Sequence, residues 1–234
     1  MFDVFVVSVL TYGCPIWGFT KSKDIERVQL KFCKSILGVK QTTSNAAVYG
    51  ELGRFPLFKN RLVANLKYWL KLTTTENIIL KTLYKSMIND DKHGMNNWVT
   101  SIKQVLNEYG FNYVWLQPET VNHKHFIELF KQRMSDCYVQ QWRADIESNG
   151  VLNGLYMHIK SKFEIEFHLE NILSRKWRVM LAKLWISSHC LRIETGRYGR
   201  DRQYRSCTLC SMELEDEYHF IIKCPLYQNI RNNT

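Results

Sequence analysis

Four residues near the end of the chain, Cys207, Cys210, His219 and Cys224, are of the types that ligate soft metal ions, and they fall in one stretch, CTLCSMELEDEYHFIIKC. Two residues separate the first pair of cysteines, eight separate Cys210 from His219, and four separate His219 from Cys224. A Cys-x-x-Cys pair can grip one ion through both sulfurs, and a histidine and cysteine so spaced can do the same from the start of a helix. The order and spacing therefore predict a tetrahedral shell of three thiolates and one imidazole around Zn2+. Such a shell leaves no position for a water, so the ion would hold structure together and not catalyse. In so small a loop, metal binding would supply most of the folding free energy, on the order of 10–16 kcal/mol by analogy with zinc-finger peptides.

Immediately ahead lies LRIETGRYGRDRQYRSC, in which Arg197, Arg200, Arg202 and Arg205 alternate with Tyr198, Tyr204 and two glycines. Guanidinium forks suit phosphates and tyrosine rings suit bases, so this segment is the candidate contact for RNA and/or DNA. The plainer reading is an exposed basic linker with no ligand. Arg175, Lys176 and Arg178 would extend the positive surface, whereas Glu213, Glu215, Asp216 and Glu217 keep the knuckle itself from being uniformly basic.

The whole chain shares this bias. Among 234 residues, Lys and Arg outnumber Asp and Glu by 32 to 22, a net charge of +10 with pI ≈ 9.2, which favours polyanionic partners as well as solubility. A hydrophobic content of 45% supplies a globular core. Cys14, Cys33, Cys137 and Cys190 are scattered beside apolar residues, as expected of buried thiols in a reduced compartment, nucleus or cytoplasm. Asp3 stands where a signal peptide needs a basic residue, and no apolar run reaches the ~18 residues of a membrane span, so no membrane partner is implied.

Catalytic signatures are missing. The adjacent pair Asp90 and Asp91 precedes Lys92, His93 and Gly94 and reads as a solvated turn at a helix end. There is no phosphate-binding loop, nucleophile elbow or metalloprotease motif, and His123 and His125 read as loop residues.

The elements that position these residues are helical. In SKDIERVQLKFCKSILG, Ser22 can cap, Asp24 and Glu26 favour the positive end of the dipole, and Gly38 can terminate. Ile25, Val28, Phe32 and Ile36 form the predicted packing stripe, with Lys23, Arg27, Lys31 and Lys34 on the opposite, nucleic-acid-facing side. After GRFP, a second helix places Phe58, Leu62, Leu66, Trp69 and Leu70 inward and Lys59, Arg61, Lys67 and Lys71 outward. Further helices are expected at about 76–88, 97–109, 124–147 and 168–190, with Gly110 and Gly150 as stops. Strand patterning is at most a feature of the knuckle and the first dozen residues. Trp142, Trp177 and Trp185 read as core, or as lining for a protein partner. Apolar residue 2 without a preceding cap, and a helix just begun at Pro225, give both ends the look of cuts through a longer protein.

Three patches, VLTYGCPIWGF at 9–19 with the helix IERVQLKFCKSILGV, SNAAVYGELGRFPL at 44–57, and LRIETGRYGR with RSCTLCSMELEDEYHFIIKCPLYQNIR at 191–231, together resemble the C-terminal part of a non-LTR (LINE-type) retrotransposon reverse transcriptase. The resemblance implies a helical thumb-like region at 1–75, in which Gly13 and Trp17 are structural, then connecting helices at 76–165. A helix and arginine-rich linker at 166–205 and a zinc knuckle at 206–234 complete the mainly α fold. It also implies that the chain lacks the palm aspartates that hold two metal ions for phosphoryl transfer, so the fragment would bind template, primer or element RNA without polymerising. A zinc-stabilised protein-interaction module and a transposon relic without function are the other readings.

Overall fold

Asn97 shows how local chemistry starts a helix here. Its side chain accepts from the N–H groups of Val99 and Thr100, and the Thr100 hydroxyl accepts from the Asn97 N–H, a reciprocal cap for the helix Trp98–Glu108. Gly110, at φ 80°, follows its end in the left-handed conformation. Further helices run Lys23–Leu37, Leu57–Thr73, Ile78–Lys92, His123–Ser148 and Arg175–Trp185, joined by shorter helical pieces. The computed structural model describes residues 1–148, 155–196, 199, 201 and 204–233. Among these the pairing of extended backbone is limited to isolated antiparallel bridges, Leu52 with Ile165 and Ser206 with Leu214, so the fold is mainly α. The first dozen residues are helical at Asp3–Val7 and Ser8–Leu10, not extended. No helix among the described residues is long and apolar enough to cross a membrane.

Contacts group the chain into two discontinuous units: Met1–Gln29 with Phe55–Gln141, and Leu30–Arg54 with Trp142–Thr234. In the first, Leu62, Leu66, Trp69, Ile102, Leu106, Phe111, Phe126 and Phe130 form one apolar core. Trp69 stacks on Trp115 with centroids 5.7 Å apart, and Phe111 meets Phe126 edge-on at 5.4 Å.

Two basic side chains expected outside lie inside. Arg61 is fully buried, where its guanidinium donates to the Thr20 carbonyl and lies 3.4 Å from the Glu26 carboxylate. That carboxylate also accepts from the N–H groups of Leu57 and Phe58 at 3.0 and 2.8 Å, capping a helix distant in sequence. Lys34, in the second unit, is buried and donates to the Gln41 carbonyl at 2.6 Å, and burial lowers its pKa. The buried stripe of its helix is Gln29, Cys33 and Leu37, while Val28 and Ile36 are exposed. The stripe moves by one position because Gln29 finds a buried acceptor, the Phe55 carbonyl at 2.9 Å, so a polar residue can face inward.

The second unit is built on close approach. A Cβ on Gly50 would fall 2.7 Å from the Trp142 ring and the Tyr156 hydroxyl, and these two side chains donate to the carbonyls of Ala46 and Ala47. The single helix expected at 168–190 is instead Phe167–Asn171 and Arg175–Trp185, broken where Ile172 and Ser174 are extended. Trp142 is core, as expected, but Trp177 is exposed. Cys14 and Cys33 are buried, whereas Cys137 and Cys190 are exposed, contrary to expectation.

Candidate metal centre

Cys207, Cys210, His219 and Cys224 converge so that their ligand atoms all lie within 4.8 Å of one another. The Cys210 sulfur is 3.3 Å from His219 Nε2. Thiolate and imidazole ligands at ~2.3 and ~2.0 Å from a tetrahedral ion stand roughly 3.5 Å apart, so this edge is close to metal-ready. Cys207, His219 and Cys224 are buried and Cys210 is half-buried.

Local backbone chemistry makes the convergence. Residues 205–215 fold back on themselves: the Cys207 N–H donates to the Glu213 carbonyl at 2.8 Å and the Glu215 N–H to the Arg205 carbonyl at 2.9 Å. The Leu209 N–H points at the Cys207 sulfur at 3.4 Å. Asp216 then caps the helical turn His219–Lys223, its carboxylate accepting from the His219 N–H at 2.7 Å. The turn ends with the Cys224 N–H on the His219 carbonyl at 2.7 Å, which returns the last sulfur to the first pair.

The thiols carry opposed shifts. Burial pushes the Cys207 thiol up, but hydrogen bonds from the backbone N–H groups of Cys210 and Leu209 and from the side chains of His219 and Cys210 outweigh it and bring the pKa to about 7. Burial, with Cys207 alongside, pushes the Cys224 thiol up. Neighbouring sulfurs cannot all ionise unaided, and a dication removes that conflict. Three sulfurs and one nitrogen, closely gathered and shielded, are a donor set that fits a metal ion.

The acidic run is the part that sequence reasoning left unassigned. Glu213 lies 3.5 Å from His219 Nδ1, too long for a hydrogen bond, so that buried nitrogen has no hydrogen-bond partner. The carboxylate is nevertheless on the correct side to orient a ligating imidazole. Glu215 accepts from the Arg192 N–H at 3.0 Å and Glu217 meets His189 Nε2 at 2.8 Å. The legible signal was Asp216, three residues before His219 at helix-cap spacing.

The structure distributes the predicted nucleic-acid contacts unevenly. Arg197, Tyr198, Arg200 and Arg202 lie outside the described residues. Tyr204 is exposed, while Arg205 is half-buried and donates to the Ile193 carbonyl at 3.2 Å. Lys23, Arg27 and Lys31 are exposed, with Arg27 paired to Asp24 at 2.8 Å; Lys34 is the one turned inward. Asp91 is no solvated turn: it accepts from the Thr100 hydroxyl at 2.6 Å and pairs with Lys103 at 3.2 Å, and these bonds lower its pKa. No protein-family model, curated protein or solved structure matches the chain.

Proposed function

We propose that the protein is a nucleic-acid-binding accessory segment of the non-LTR reverse transcriptase kind, in which a structural Zn2+ on Cys207, Cys210, His219 and Cys224 anchors a basic segment and no polymerase centre is present. The observation that carries this reading is the junction between cluster and segment. Arg205 and Glu215 together tie Arg192 and Ile193 to the fold-back that supplies Cys207. A rigid metal unit at one end presents the arginines of that segment at a fixed root, and the net charge of +10 supplies long-range attraction to phosphates.

A salt titration of the 234-residue chain against single-stranded RNA tests it. Affinity at low salt should fall steeply with added salt, and the double variant Arg200→Ala with Arg202→Ala should bind more weakly. Its log–log slope should be shallower by about 1.4, two contacts' worth for a single strand. Negligible binding at low salt overturns the proposal. The second reading, a protein-interaction module, is favoured by the exposed Tyr218, Phe220, Ile221, Ile222 and Leu226 around the cluster, and it predicts complexes that survive nuclease.

A further inference from the structure

The first unit contains a cavity of about 490 Å³, within the size range of small-ligand sites. Phe55, Phe58, Tyr109 and Tyr138 line it, each half-buried, and Lys59 and the exposed Cys137 share its wall. Four rings around one space offer flat, polarisable faces.

The charge of the wall says what else an occupant must carry. Among the described residues Lys59 has no carboxylate partner: its ammonium donates to the Ser135 hydroxyl and sits 3.8 Å over the Phe55 ring. Burial and nearby Lys131 lower its pKa, with Asp136 acting the other way. Lys21 also lines the cavity, 5.6 Å from the Phe58 ring centre. Glu26, on the same wall, is already matched by Arg61 and two backbone N–H groups. What remains is Lys21, Lys59 and Lys131 against Glu108 and Asp136, an excess of one positive charge, and a phosphodiester carries one negative charge.

We propose that this cavity is a seat for a single nucleotide of a single-stranded nucleic acid, its base among the aromatic rings and its phosphodiester on Lys59. The inference rests on the nucleic-acid reading above but locates a contact in a different unit from the metal cluster and the arginine segment. Stacking supplies affinity without sequence preference, because every base has a π-face. Lys59 supplies the anion contact from its place over the Phe55 ring.

Cys137 makes the site testable in the intact 234-residue chain. A short single-stranded RNA of mixed sequence, bound at low salt, should slow alkylation of Cys137 by N-ethylmaleimide at least fivefold, read by peptide mass spectrometry, while exposed Cys190 reacts at an unchanged rate. Filling the space with Cys137→Trp, at an exposed position that tolerates bulk, should weaken RNA binding by about fivefold or more with the helical circular dichroism retained. RNA that binds while Cys137 reacts as fast as before overturns this inference and leaves the proposed function standing. RNA that does not bind overturns both.

Discussion

The two units achieve a buried interior by different means. The first encloses an aromatic and aliphatic cluster between long helices, and its buried polar side chains are few: Gln29, Arg61 and Asn65. The second has short helical pieces and buries Lys34, Glu51, Lys160, His168, Ser188, His189 and His219. Apolar burial needs no partner atom by atom, whereas every enclosed polar group must find one. The second unit therefore depends on specific cross-links, among them the cluster of Cys207, Cys210, His219 and Cys224 and the ion pair of Lys160 with Glu166. Glu51 lies 3.3 Å from His168 Nε2 with no hydrogen bond between them. Burial, aided by Glu166, pushes the Glu51 pKa up to about 8, and burial pushes that of His168 down. A neutral carboxyl beside a neutral imidazole is the consistent state.

Metal removal breaks the comparison most severely. Chelation, or Cys207→Ser, should abolish amide hydrogen-exchange protection across residues 205–224 while leaving helix Leu57–Thr73 protected, since an ion held by the four ligands would supply the folding free energy of the small loop. Loss of protection in both places would show that the first core is not self-sufficient. The converse variant, Trp69→Ala, should cost about 3–5 kcal/mol in urea unfolding and leave metal stoichiometry unchanged. Smallest, taken per pH unit, is the effect of pH. Glu51 binds its proton more tightly folded than unfolded, so its contribution is full below the unfolded carboxylate range near 4.5 and is lost as pH rises towards 8, at no more than about 1.4 kcal/mol per pH unit. Glu51→Gln should flatten that decline in melting temperature; an unchanged slope would assign it to another group.

What could be read from the sequence follows the same division. Helices Trp98–Glu108 and His123–Ser148 were legible because their period and, for the first, its stop at Gly110 are local signals, while the expected stop at Gly150 lies outside the described residues. The four ligands were legible because their spacing alone fixes the chemistry. Lys34 and Arg61 were misplaced because helical period assigns every basic residue outward, and only a tertiary partner, the Gln41 carbonyl or the Glu26 carboxylate, reveals an inward one. The break at Ile172–Ser174 was invisible because no glycine or proline marks it. The aromatic cavity draws its wall from residues 21 to 141, a separation that no sequence window spans.

Glu26 serves two masters at once, a helix start thirty-odd positions downstream and a guanidinium sealed from solvent. Loss of the carboxylate at position 26 strands both beneficiaries, whereas loss of the guanidinium at position 61 leaves the helix start capped. The coupling of the two positions would surface in a double-mutant cycle as a penalty smaller than the sum of its parts.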